Sequence, residues 1–350
     1  MREQDPVPPL AEVLAATRVV AIPTRTRFRG ITVREAAILD APQGASEFSP
    51  FPEYGDAEAS AWLAAALDFG WAEQPPVLRE RIEVNATVPA VPAAEVPAIL
   101  SRFPGCRTAK VKVAERGQSL ADDVARVRAV REALGPEARV RVDANGGWTV
   151  TEAATALRAL AEFELDYAEQ PCATVAELAE VRRQTRGQVA GDSGSAPTVR
   201  IAADESVRKA ADPLAVARAG AADLLIVKAQ PLGGVRRALS IVAEAGLPVV
   251  VSSALDTSAG IAMGLRLASA LPEGLLAGAC GLGTVALLDG DVTADPLLPR
   301  EGSIAVRRPA LDGAALDRFA APPERKRWWR ERIARCHALL AAPARRPHQR

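Results

Sequence analysis

The sequence predicts an α/β fold in which a parallel barrel follows a smaller module. Three observations predict it. From about residue 82 the 350-residue chain alternates between short apolar strands and amphipathic helices, which is the pattern of a parallel sheet with right-handed crossovers. About eight such strands favour closure into a barrel over an open sheet. Three of these strands, 139–145, 165–169 and 200–204, run into a carboxylate where the strand stops: Asp143, Glu169 and Asp204.

The elements follow in order. Residues 1–81 read as the separate module, with strands at 19–23 and 31–39 joined by a basic turn over 25–30. The stretch 44–55 holds Glu47-Phe48-Ser49-Pro50-Phe51-Pro52 and reads as a loop, too proline-rich for regular structure. Residues 56–67 are alanine-rich and helical. The barrel spans 82–290, beginning with strands at 82–88 and 108–113. Ser119 and Asp122 form a capping box opening a helix whose apolar face is Leu120, Val124, Val127 and Leu134, and Gly135 stops it. Thr149 and Glu152 repeat the device after strand 140–143. A helix near 174–184 follows strand 165–169, and the Gly- and Ser-rich stretch 186–199 reads as a surface insertion. Asp212-Pro213 opens a helix that Gly220 ends, 223–228 is a strand, 235–245 a helix with Gly246 as its stop, 247–253 a strand, 257–269 a small-residue helix, and 275–280 the last strand. Residues 291–350 lose the barrel rhythm and end in a basic tail, 324–350, with nine Arg or Lys and two Glu, read as a solvated helix with a frayed end.

Composition narrows the chemistry. Lys+Arg and Asp+Glu number 43 each, so no global field favours nucleic acid or an acidic membrane surface. No apolar run approaches the roughly 18 residues a membrane span needs. Cys106, Cys172, Cys280 and Cys336 are far apart with no Cys-x-x-Cys pair, which argues against a thiolate zinc site and for a reduced, cytoplasmic setting. The two histidines, His337 and His348, both lie in the tail. Proton transfer in the body therefore falls to Lys, Asp, Glu, Tyr or Cys, and a body metal is bound by oxygen, favouring Mg²⁺ over Zn²⁺.

In a parallel barrel the C-terminal strand ends share one face. Asp143, Glu169 and Asp204 would point into a common pocket, where three close carboxylates repel unless a cation lies between them. Each alone is equally an ordinary helix N-cap. Lys110 and Lys112, spaced by two, share a strand face, and Lys228 ends an apolar strand. Such lysines serve as acid–bases, a Schiff-base nucleophile, or plain ion-pair partners. Arg141, two before Asp143, reads as a structural cation or a contact to a substrate carboxylate. Ser252 and Ser253 at a strand end, and Gly281-Leu282-Gly283-Thr284 after the last strand, suit an anionic group and equally suit a tight loop; Asn145 is a further candidate substrate contact.

In this order, Lys-x-Lys, Asp-Ala-Asn, Glu-Gln-Pro, Ala-Asp-Glu-Ser and a strand-end Lys, the chain resembles the enolase superfamily over roughly 82–290. Within it, Arg27-Phe28-Arg29-Gly30-Ile31-Thr32-Val33-Arg34-Glu35, Glu47-Phe48-Ser49-Pro50 and Ser252-Ser253-Ala254-Leu255 are similar to the short actinobacterial dehydratases that form o-succinylbenzoate. The resemblance implies a (β/α)7β barrel of TIM type under an α+β cap built from both chain ends. It implies Asp143, Glu169 and Asp204 as ligands of Mg²⁺, with Mn²⁺ substituting, Lys112 as the acid–base and Lys228 as the lysine opposite. The implied reaction is dehydration of a cyclohexadiene carboxylate through an enediolate in menaquinone biosynthesis, with a small-molecule carboxylate as the partner and neither nucleic acid nor membrane. Racemisation of N-acylamino acids or epimerisation of dipeptides uses the same constellation. A metal-free Schiff-base aldolase and a non-catalytic scaffold are the further alternatives, and the oligomeric state stays open. The loops 25–30 and 47–52 are expected to close the pocket.

Overall fold

The computed structural model describes residues 7–28, 30–187, 199–208 and 212–342. Arg29, nearly all of the 186–199 stretch, and the chain end with His348 lie outside them. After a short helix, Leu10–Ala15, come three antiparallel strands: β1 (Thr17–Phe28), β2 (Ile31–Ala41) and β3 (Gly44–Phe48). Two sequence expectations need correction here. The strand β1 runs on to Phe28 through the supposed basic turn, with an irregularity in its pairing after Pro23, which has no N–H to give the ladder. Residues 44–48 are a strand and not a loop, because the prolines begin only at Pro50 and Gly44, at φ +103°, makes the tight turn back from β2.

The helix Asp56–Trp71 lies on this sheet, and the helix Pro323–Ala341 packs against it and against β1. The final helix is thus not simply solvated. Its Trp329, Ile333 and Cys336 are buried with Phe48, Trp62 and Leu63 in a core separate from that of the barrel wall. Trp329 meets the Phe48 ring edge-on at 5.6 Å between centroids. Its indole N–H donates to Glu35 Oε2 at 2.8 Å, and Arg325 donates to both oxygens of the same carboxylate. Burial works to raise the Glu35 carboxyl, but these bonds outweigh it and hold the group below its usual range.

The strand expected over 82–88 divides in two. Its first part, β4 (Arg81–Glu83), pairs antiparallel with Ser303–Ala305 from the far end of the chain; its second, β5 (Ala86–Val88), opens the barrel. Seven parallel strands follow side by side in sequence order: β5, β6 (Thr108–Lys112), β7 (Arg139–Asp143), β8 (Tyr167–Glu169), β9 (Arg200–Ala203), β10 (Leu224–Val227) and β11 (Val249–Val251). Residues 275–281 occupy the eighth position without forming a regular strand. On one side Ala277 N donates to Val249 O and Gly281 N to Val251 O; on the other Cys280 N donates to Glu83 O and Asn85 N to Cys280 O. Gly278, at φ +110°, bends this segment between the two. With eight positions around the ring, β6 and β10 face each other across it.

Side-chain alternation sorts the strands' residues. Ala109, Val111, Val140, Val142, Ala168, Ile201, Ala203, Leu225 and Val227 join the core between strands and helices. Tyr167, Ala202, Leu224, Ile226 and Val250 pack together in the barrel interior. The expected capping boxes are present: Ser119 with Asp122 ahead of Leu120–Leu134, and Thr149 with Glu152 ahead of Val150–Ala159. The helix expected from Asp212 is shorter than its signals suggest. Asp212 Oδ1 accepts from Leu214 N at 3.0 Å, but the helix covers only Ala215–Arg218. All four cysteines are free and buried, and among the described residues no helix is long and apolar enough to cross a membrane.

The two chain ends hold each other through Trp329, so Trp329→Ala should cost about 3–5 kcal/mol, the range for truncating a large buried aromatic. Urea unfolding checks this; an unchanged midpoint would show that the helix Pro323–Ala341 does not stabilise the first module.

Candidate active site

Parity along the strands builds the site. On β10 the interior residues are Leu224 and Ile226, so Lys228 continues the inward series. On β6 the inward residues are Lys110 and Lys112, on β7 Arg141 and Asp143, on β8 Tyr167 and Glu169. Register sets Lys112 beside Asp143 and Asp143 beside Glu169 in one layer. Asp204 follows Ala202 on the inward face of β9.

The three carboxylates meet three ammonium groups. Lys110 Nζ donates to both oxygens of Glu169 at 3.0 Å and lies 3.1 Å from Asp143 Oδ2. Lys112 Nζ donates to Asp143 Oδ2 at 2.5 Å and to Asn145 Oδ1 at 2.6 Å. Lys228 Nζ donates to both oxygens of Asp204 at 2.5 Å. Asp143, Glu169 and Asp204 are all buried, at 2% exposure or less, so none of this charge is neutralised by bulk water. Burial alone would raise the Asp143 carboxyl, but Lys112 and Lys110 hold it far below the carboxylate range. Glu169 goes the other way. Burial first, and then repulsion from Asp143, push it up to about 7 against the pull of Lys110. Burial opposes the charge on Lys110, yet Glu169 and Asp143 keep its pKa well above the ordinary lysine value.

Lining the pocket above this layer are Lys110, Lys112, Asp143, Asn145, Asp204, Lys228, Ser252, Ser253 and Gly281, all expected from sequence. Glu169 is not itself a wall of this pocket, but Lys110, bonded to it, is. Two expected contacts are not brought to the pocket. Arg141 lies one layer deeper, donating to Asp166 at 2.8 Å and Ala279 O at 2.6 Å, with its guanidinium 4.7 Å over the Tyr167 ring. The spacing of two that put it on the Asp143 face also put it a layer below. Gly283 turns instead toward Phe103, 3.2 Å from where its Cβ would stand.

Sequence reasoning did not single out Thr87, Ala254 or Thr284 as pocket walls, and held Phe28 only as part of the 25–30 loop expected to close the pocket. Thr87 was reachable by parity, being the inward residue between outward Ala86 and Val88. Phe28 reaches the site from β1, and Lys112 Nζ stands 5.6 Å from its ring centroid. So 25–30 does supply a wall. The second expected loop works differently: Glu47 accepts from Thr257 N, Thr257 Oγ1 and Gly260 N at 2.5–3.0 Å, fastening the first module to the start of the helix Ser258–Ala270.

Two further features fix the strand-end loops. Ala114, Asn145, Gln170 and Leu255 all take positive φ, between 39° and 63°, just beyond β6, β7, β8 and β11. Such backbone is costly for residues other than glycine and clusters at functional sites. Gln170 then ties two loops together, accepting from Asp204 N and Ser206 N and donating to Cys172 O and Ser206 Oγ.

The donor set suits a hard divalent cation: three carboxylates on adjacent strands, with no imidazole or thiol among the pocket walls. Among the described residues no group of three or more His, Cys, Asp and Glu is already drawn together as a cage. The ammonium groups stand between the carboxylates instead.

Comparison with known proteins agrees with this geometry. Residues 93–313 match the family described as enolase C-terminal domain-like, and residues 19–72 that described as enolase N-terminal domain-like. The o-succinylbenzoate synthase of Mycobacterium bovis (strain BCG / Pasteur 1173P2) is 55% identical over 335 residues, covering 95% of this chain and 97% of the relative. That of Mycolicibacterium smegmatis is also 55% identical, covering 95% and 99%. Among solved structures, 2-chloromuconate cycloisomerase from Rhodococcus opacus 1CP superposes with a TM-score of 0.69 at 20% identity, over 88% of this chain and 98% of that one. The L-Ala-D/L-Glu epimerase from Bacillus subtilis does so at 0.68 and 22%, over 84% and 96%. The chain belongs to the enolase superfamily, and within it to the family of the o-succinylbenzoate synthases.

Proposed function

We propose that this chain dehydrates 2-succinyl-6-hydroxy-2,4-cyclohexadiene-1-carboxylate to o-succinylbenzoate, a step of menaquinone biosynthesis. The observation that carries the reading is the placement of Lys112 and Lys228 on opposing strands, with Asp143, Glu169 and Asp204 on the strands between. A flat ring bound over the carboxylates lies between the two lysines.

We assign Lys112 as the acid–base. It removes the proton α to the substrate carboxylate, and the ammonium so formed protonates the hydroxyl leaving from the same ring face. One proton and one hydroxyl leave as water, and the ring becomes aromatic. Asn145, which accepts from Lys112, sets the direction of its amine. Lys228 stays charged and faces the emerging aromatic ring, a cation–π contact of roughly 0.5–2 kcal/mol. Lys110, bridging Glu169 and Asp143, holds those carboxylates apart and oriented. Phe28 covers the Lys112 side and restricts water there. Asp143, Glu169 and Asp204 would hold a divalent cation, Mg²⁺ in this reading with Mn²⁺ substituting, and its positive charge would stabilise the substrate carboxylate as charge builds there. Ser252, Ser253 and Gly281 face the pocket where the succinyl arm would extend. We place the reaction in the cytoplasm, which the free buried cysteines support.

The same flanking lysines support racemisation of N-acylamino acids, with one proton carrier on each face. Isotope exchange separates the readings. Lys112→Ala should abolish solvent deuterium exchange at the α-carbon of an unreactive carboxylate analogue and cut turnover roughly 10²–10⁴-fold or more. Lys228→Arg retains positive charge and should retain measurable activity. Exchange that survives in Lys112→Ala but vanishes in Lys228→Ala would reverse the two roles.

Turnover of the cyclohexadiene substrate should stop after exhaustive chelation and return with Mg²⁺. Asp143→Ala, Glu169→Ala and Asp204→Ala should each weaken binding of the cation, measured by titration calorimetry. Full activity in the chelated protein would remove the metal from the mechanism.

A further inference from the structure

Next to the main pocket, and sharing Lys228, Ser252 and Ala254 with it, is a small void also walled by Gln230, Asp256 and Gly260. Lys228 lines both spaces. Gln230 and Asp256 are 3% and 5% exposed, yet Gln230 Oε1 and Asp256 Oδ1 have no hydrogen-bond donor. The Gln230 amide nitrogen lies against Asp256 without reaching hydrogen-bond geometry. Arg34 stands at a long 3.8 Å from Asp256 Oδ1 and also serves Glu47, the carboxyl next to Asp256. Glu47 takes its own donors from Ser49, Thr257 and Gly260, which leaves Asp256 Oδ1 and the Gln230 amide oxygen as the acceptors in want of one. Gly260 lets the wall come this close: a Cβ there would stand 2.7 Å from Asp256 Cβ and 2.9 Å from Gln230 Nε2. Buried acceptors left without donors are costly, and an ammonium carries three donors on a flexible stem.

Lys228 neutralises Asp204 at present. A divalent cation taking that carboxylate would face the ammonium at close range and repel it. We propose that Lys228 has a second seat, made by Asp256 and the Gln230 amide oxygen, to which its ammonium turns when a divalent cation occupies Asp204. Asp256 and Gln230 are then positioning residues for Lys228. The inference rests on the reading of Asp143, Glu169 and Asp204 as cation ligands and goes beyond it in saying where the displaced lysine goes.

Mn²⁺ titration followed by electron paramagnetic resonance tests it without any turnover. Asp256→Asn should weaken Mn²⁺ binding roughly tenfold or more, the scale of one hydrogen bond to a charged group, because Lys228 then stays on Asp204 and competes. Gln230→Leu should weaken it in the same direction, and provides the measurement if Asp256→Asn melts much below the wild type. In a Lys228→Ala background neither change should alter Mn²⁺ affinity more than about twofold, since no lysine is left to be seated. Equal losses in both backgrounds, or no loss with Lys228 present, would overturn the second seat. A crystal structure of the Mn²⁺-loaded wild type with the Lys228 ammonium still on Asp204 would overturn it as well. A wild type that binds no Mn²⁺ would overturn the cation-ligand reading itself, a result distinct from the others.

Discussion

Everything at the pocket depends on balancing buried charge. Asp143, Glu169 and Asp204 are taken out of water at the end of a ring of apolar strands, and each would be costly there alone. Lys110, Lys112 and Lys228 match them in number, each within 3.1 Å of a carboxylate oxygen. The balance is uneven within the cluster. Asp143, bonded to two lysines, is held well below the usual carboxylate range, whereas burial and the neighbouring Asp143 and Asp204 raise Glu169 against the pull of Lys110 and Lys228.

The barrel supplies this cluster by a simple rule, and that rule is why much of it was legible in the sequence. Strand alternation places every second residue inward, so spacing put Lys110 with Lys112, and position at a strand end picked out Asp143, Glu169, Asp204 and Lys228. The ends of successive parallel strands then bring them to one face. Capping boxes at Ser119 and Thr149 were legible for a related reason, since both partners lie within one turn of chain. Arg141 shows where the rule stops. Parity gives the face but not the depth, and two residues of depth separate a pocket wall from the packed interior.

What sequence could not show was set by partners far along the chain. Proline content made 44–48 look irregular, but pairing with β2 overrides local preference. The run 82–88 reads as one strand, but its first part finds Ser303–Ala305 and its second finds β6. Phe28 becomes a pocket wall only because the first module leans over the strand ends. The basic composition of 324–350 suggested a solvated helix; its three buried apolar residues, at 329, 333 and 336, are spaced for one helical face and marked the packing that charge obscured.

The pairing of the helix Pro323–Ala341 with the helix Asp56–Trp71 bears on how the molecule is made. The first module emerges from the ribosome long before the helix that completes its core, with the entire barrel synthesised in between. Until that helix arrives, Phe48 and Trp62 lack part of their cover, and closing so long a loop is entropically slow. The nascent chain therefore passes through an interval in which the barrel's catalytic face can be assembled while its roof cannot. Chaperone demand during synthesis should centre on that unroofed interval and on the apolar surface of residues 48–71.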